Sequence, residues 1–107
     1  MALTSNFKHT IVERVRRDPA FAKAMLDEAA TLFLNDDPDT ARSVLRDLVN
    51  ATIGFESLAA VTDKNSKSLH RMLSPSGNPN MDNLAAIFGA VSKQLKVGLK
   101  VQAVRAA

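Results

Sequence analysis

The sequence predicts an all-α fold, a bundle of five to six helices. Three observations predict it. Asp-Pro occurs twice, at Asp18-Pro19 and Asp37-Pro38, each placing a capping carboxylate before a proline at the first helical position. Between these marks apolar residues recur at three- and four-residue spacing. A connector of turn-forming residues, Ser74-Pro75-Ser76-Gly77-Asn78-Pro79, then sets off a last helical segment.

The elements follow in order. Phe7, Ile11, Val12 and Val15 mark a helix from Phe7 to about Arg17. From Pro19 to about Leu34, Ala22, Leu26, Ala29 and Phe33 form one stripe, with Phe21, Met25 and Leu32 beside it. The segment from Pro38 to about Thr52 has the cleanest period: Ala41, Val44, Leu45, Leu48, Val49 and Thr52, with Arg42, Arg46 and Asp47 off the stripe. Two short helices come next, at about 56–62 and 66–73, joined tightly through Asp63-Lys64-Asn65. Beyond the proline loop, Asn80 or Met81 opens a helix whose Leu84, Ile87, Phe88, Val91 and Leu95 face inward. In the tail, Lys96 to Ala103, the period drops to two, as in a half-buried strand, and Gly98 and the β-branched residues favour strand over helix. A lone strand cannot satisfy its backbone, so this C-terminal strand would need a partner, and the same tail of a second copy is the natural one. The expected organisation is one domain over 1–107: a helical extension at about 5–35, a core at about 38–95, and a strand or tail at 96–107.

Composition bounds the function. A chain of 107 residues, 46% hydrophobic and 23% charged, suits one globular domain. It has no cysteine, so disulfides and thiolate metal sites are excluded. No apolar run approaches the ~20 residues that span a bilayer, and residues from Met1 to Phe7 lack the pattern of a secretion signal. A cytoplasmic protein without membrane association is expected. Five Phe and no Trp or Tyr argue against single-strand nucleic-acid binding, which stacks bases on exposed rings. Charge is split along the chain. Residues 1–63 hold seven Lys and Arg against ten Asp and Glu, a balance of −3; residues 64–107 hold seven against Asp82 alone, a balance of +6. These make up the formal +3, and the basic half suits phosphate.

The stretch at about 55–74 satisfies the demands of a helix-turn-helix, two short helices crossing through a three- or four-residue turn. Ala59 is small where the helices meet, Asp63 tolerates a left-handed backbone, Asn65 or Ser66 can cap the second helix, and Leu69, Met72 and Leu73 anchor it. At about 100° per residue, Lys67 and Arg71 lie opposite Leu69, flanked by Ser68 and His70, with Ser66 near the start. Short polar and basic side chains at the start of a second helix suit a major groove, where Lys67 or Arg71 can donate to guanine and Ser66 or Ser68 to bases or phosphate. Lys64, in the turn, is a candidate phosphate contact. The Ser74–Pro79 loop either meets phosphate, with Asn78 as its contact, or sets the angle of the last helix.

Other residues carry less. His9 has no ligand-spaced partner, so no metal is expected. Asp36, Asp37 and Asp39 surround a helix start, where carboxylates favour the dipole. No Ser/His/Asp arrangement or phosphate-binding glycine loop stands out, so neither an enzyme nor a cofactor is expected.

The run Leu45-Arg-Asp-Leu-Val-Asn-Ala-Thr-Ile-Gly-Phe-Glu-Ser-Leu-Ala, continuing through Lys67-Ser-Leu-His-Arg-Met-Leu to Ser74-Pro-Ser-Gly-Asn-Pro, resembles the addiction-module antidote proteins. These are HigA-like antitoxins of the Cro/repressor-type helix-turn-helix class. Arg17-Asp-Pro-Ala-Phe and the Leu84–Leu95 helix share the layout. The resemblance implies a repressor of its own operon that neutralises a RelE/ParE-like toxin. It also implies a recognition helix at about 66–73, with Ser66, Lys67, Ser68, His70 and Arg71 toward DNA. A homodimer bound to a duplex operator is then expected. The alternative is a protein-interaction module whose acidic N-terminal helices hold a basic, toxin-like partner without significant DNA binding.

Overall fold

In the computed structural model the backbone is described for residues 2–106 and the side chains for Phe7 and residues 9–106; Met1 and Ala107, the ends of the expected domain, lie outside the described residues. Six helices follow one another: α1 (Ala2–Arg17), α2 (Pro19–Leu34), α3 (Pro38–Ala51), α4 (Phe55–Thr62), α5 (Ser66–Met72) and α6 (Met81–Leu95). The fold is all-α. Helix α1 starts ahead of Phe7, at Ala2, and Leu3, four residues before Phe7, extends the same spacing.

Capping chemistry sets most boundaries. Asp18 ends α1 and starts α2, its Oδ1 accepting from the Ala20 and Phe21 amides at 3.1 and 3.3 Å. Arg14 Nε donates to Asp18 Oδ2 at 3.2 Å, and its guanidinium lies 4.7 Å over the Phe21 ring. Asp37 accepts from the Thr40 amide at 3.3 Å and starts α3. Asn80 does the same for α6, accepting from Asn83 at 2.8 Å. Gly54, before α4, has φ 78° and ψ 154°, a conformation essentially reserved for glycine.

The core is one cluster in which α3 packs against α1, α2 and α4. Leu26 and Ala29 of α2, Leu45, Leu48 and Val49 of α3, Leu58 of α4, Leu69 and Leu73 on α5 and its cap, and Ile87 and Val91 of α6 are fully enclosed. Phe33 meets Phe88 edge to face at 5.9 Å and ties α2 to α6. Nearly every apolar position read from periodicity faces this cluster. Helix α4 therefore rests on α3 and α6, and α5 packs on α4, which sets the outward face of α5.

Within one copy the C-terminal tail is not a strand. Lys96, at φ 59°, ends α6, and residues 97–106 have no regular secondary structure. Val97 packs against the core, but no second strand is present among the described residues for the tail to pair with.

Asp18 links this scaffold to pH. The Arg14 hydrogen bond, with those from the Phe21 and Ala20 amides, outweighs desolvation and holds its carboxyl below the ordinary value. Its contribution to stability is present above the ordinary carboxylate range and is lost as pH falls through the lowered value. Asp18→Asn keeps an N-cap but not the charge, so thermal melts between pH 7 and pH 3 should give this variant a shallower acid-side loss of stability than the native chain. Equal slopes would remove Asp18 from the acid response.

Candidate nucleic-acid interface

Helix α5 begins at Asn65, whose Oδ1 accepts from the Lys67 and Ser68 amides at 2.8 and 3.3 Å. Before it, Asp63 closes α4 in the left-handed conformation, at φ 54° and ψ 40°, and the Lys64 amide donates to Ala59 O at 3.1 Å. The three-residue turn therefore takes its left-handed residue where the sequence places it, but on aspartate in place of glycine.

The inner side of α5 carries Leu69 and, at its cap, Leu73, both enclosed, with Met72 half-buried against the core. The opposite side follows from the helical rotation. Lys67 and Arg71 are exposed and one turn apart. To one side of them, Ser66 and His70 face the start of α4: Ser66 Oγ donates to Glu56 Oε1 at 3.3 Å, and the His70 ring stacks on Phe55 with centroids 3.9 Å apart and planes at 19°. To the other side, Ser68 faces the 74–79 loop. There Ser68, Arg71 and Met72 form with Ser76, Gly77 and Asn78 a shallow cleft of about 250 Å³. Asn78 is exposed at its edge and Lys64 is half-buried in the turn. The structure thus gathers Ser66, Lys67, Ser68, His70 and Arg71 on and around one outward face, with Lys64 ahead of it and Asn78 beyond it.

The loop explains itself through its carbonyls. Arg42 of α3 is only 7% exposed. Its Nε donates to Ser74 O at 3.1 Å and one terminal nitrogen to Pro75 O at 3.0 Å, while Asp39, one turn earlier, neutralises the guanidinium from the surface. Arg46 adds a longer contact to Leu73 O at 3.4 Å. Ser74 Oγ donates to Arg71 O at 2.7 Å, closing the end of α5. Gly77 then passes so near this end that a Cβ would stand 2.2 Å from Met72 O and 2.4 Å from Arg71 O. The segment is a clamp on the carboxyl end of α5. Its outer edge, with Asn78 and Ser76, still lines the cleft beside Arg71.

In the sequence, Arg42 and Arg46 stand off the apolar stripe, and nothing there places them at the site. The signal present was their four-residue spacing, with Asp39 three residues before Arg42; their partners, main-chain carbonyls 27 to 33 residues away, leave no mark in a sequence. The Phe55 ring beneath His70 and the Glu56 carboxylate beside Ser66 were also not legible as parts of the site. His9, on α1, lies 3.2 Å from Glu13 and belongs to a different surface.

No family model, curated protein or solved structure matches the chain.

The clamp makes definite demands. Arg42→Met leaves the Ser74 and Pro75 carbonyls without their charged donor and should cost about 2 kcal/mol, within the range for hydrogen bonds to charged groups. Arg42→Lys should recover little, since an ammonium lacks the planar fork that reaches both carbonyls and Asp39. Gly77→Ala should destabilise as well, its methyl group meeting backbone. Urea unfolding of the three variants checks the order; an Arg42→Lys variant as stable as the native chain would mean that the clamp needs only a positive charge.

Proposed function

We propose that the chain is a sequence-specific duplex-DNA-binding transcriptional regulator, a repressor of the antitoxin type acting on its own operon. The observation that carries the reading is the outward face of α5. It presents Lys67 and Arg71, flanked by Ser66, Ser68 and His70, on a helix fixed at one end by Asn65 and at the other by the Arg42 clamp. A rigid two-turn helix with exposed basic and hydroxyl side chains suits the major groove, where a guanidinium donates to guanine O6 and N7. The basic balance of residues 64–107 supports it, because phosphate neutralisation supplies most of the affinity of such contacts. The resemblance to HigA-like antitoxins points the same way.

A seven-residue helix reads few bases, so the reading calls for a homodimer on two half-sites about 34 Å apart. It also leaves a surface for a second partner. Residues 1–63 are acidic, and Asp27, Glu28 and Asp36 are exposed on and after α2. A basic RelE/ParE-like toxin is the partner this surface suits, and toxin binding without DNA binding is the competing reading.

Fluorescence anisotropy with the chain's own upstream duplex, beside a scrambled duplex and at two salt concentrations, tests the proposal. The expected result is salt-sensitive binding that prefers the native duplex. Lys67→Ala with Arg71→Ala should weaken it at least tenfold, each good base contact being worth about 1–3 kcal/mol, while the circular dichroism spectrum stays unchanged. Weak binding, equal on both duplexes and indifferent to the double substitution, would overturn the proposal. Co-purification with a toxin-like neighbour in that case would favour the competing reading.

A further inference from the structure

Beyond α6 the chain runs on without internal pairing. The Val97 amide donates to Ser92 O at 3.0 Å, and among the described residues no backbone hydrogen bond within the chain engages residues 98–106. Main-chain groups without an intrachain partner coincide in this tail with an alternating side-chain pattern. Val97 packs on the core, Leu99 is 39% exposed and Val101 is 72% exposed, while Lys96, Gly98, Lys100 and Gln102 fall between them. Next to Val97–Lys100 lies a groove of about 500 Å³, completed from α2 by Ala20, Ala24 and Leu26, with Lys23 and Asp27 also lining it.

We infer that this tail is a dimerisation strand, and that two copies pair antiparallel with Leu99 at the two-fold axis. The choice of occupant and register follows from the order of side chains. Pairing about Leu99 sets Leu99 against its own copy and Val97 against Val101, so that these three apolar residues share one face. It also sets Lys96 against Gln102 and Lys100 against Gly98, so that no two lysines face each other. Shifting the axis to Gly98 brings Lys96 against Lys100, and shifting it to Lys100 sets that lysine against itself. A parallel in-register pair opposes both lysines to their copies. Like charges directly opposite are unfavourable in a ladder. An axis at Val101 avoids that clash but sets Val97 against Arg105 and breaks the apolar face. The Leu99 register therefore matches apolar to apolar and leaves every lysine opposite a neutral residue. It brings Val101 of the second copy beside Val97, where the tail borders the α2 groove. The interface is isologous, each copy giving and receiving the same contacts. It does not depend on the DNA-binding reading.

The 107-residue chain has no cysteine, so single cysteines report the register without competing thiols. In the inferred pair, residue 99 and its copy have Cα atoms about 4.5–5.5 Å apart, within disulfide reach. Residue 101 and its copy lie about 13 Å apart, four residues along the ladder, beyond that reach. Light scattering should give the native chain twice its single-chain mass, and Leu99→Glu should return it to the single-chain mass. Under mild oxidation Leu99→Cys should form a covalent dimer, while Val101→Cys stays uncrosslinked although residue 101 is the more exposed. A monomeric native chain at its highest soluble concentration would overturn the inference, meaning that the groove is empty or serves another occupant. So would crosslinking of Val101→Cys as fast as Leu99→Cys, or a dimer in which neither cysteine crosslinks.

Discussion

A guanidinium is an expensive group to remove from water, and Arg42 is removed from it where α3, the end of α5 and the 74–79 loop converge. The arrangement holds because each need of the buried charge is met. Two carbonyls accept its hydrogen bonds and the Asp39 carboxylate balances its sign from the surface. In return, the carboxyl end of α5 and the chain after it gain a donor from a helix in the middle of the core. A helix of seven residues has little stability of its own. It is oriented by what fastens its ends and by the enclosed Leu69 and Leu73 beneath it.

The outward face of α5 inherits its geometry from that fastening. With Asn65 fixing the start and Arg42 the end, Lys67 and Arg71 have one direction in which to project, and His70 is steadied by the Phe55 ring. Gly77 belongs to the same device, because only a residue without a side chain fits against the Arg71 and Met72 carbonyls. The loop that a composition reading takes for a connector is thus the outer half of a clamp, and the cleft that it forms with Ser68 and Arg71 is a consequence of that closeness. Phosphate contact and structural clamping need not exclude each other here, since Asn78 lies on the exposed edge and the clamped carbonyls lie inside.

Local chemistry was legible in the sequence, and distant pairing was not. Asp18, Asp37, Asn65 and Asn80 cap helices where the residue order places them, because a cap is a contract between neighbours two or three positions apart. The outward placement of Lys67, His70 and Arg71 follows from a rotation of about 100° per residue. Periodicity places Arg42 only off the apolar stripe and says nothing of its role, because its partners are main-chain groups more than thirty residues on. Such groups look the same at every position of a sequence. The tail shows the opposite case: its two-residue period is plain, yet a single chain offers no strand to pair with, so the pattern goes unused within one copy. Helix α1 begins at Ala2, one turn earlier than a reading that starts its stripe at Phe7.

An amide chemical-shift map of the 107-residue chain titrated with its own upstream duplex locates the contact surface residue by residue. The largest changes are expected over residues 64–72 and at Asn78, with α1 and α2 nearly still. Changes concentrated on the acidic α2 surface, or none at all at concentrations where the protein stays folded, would contradict the DNA-binding reading.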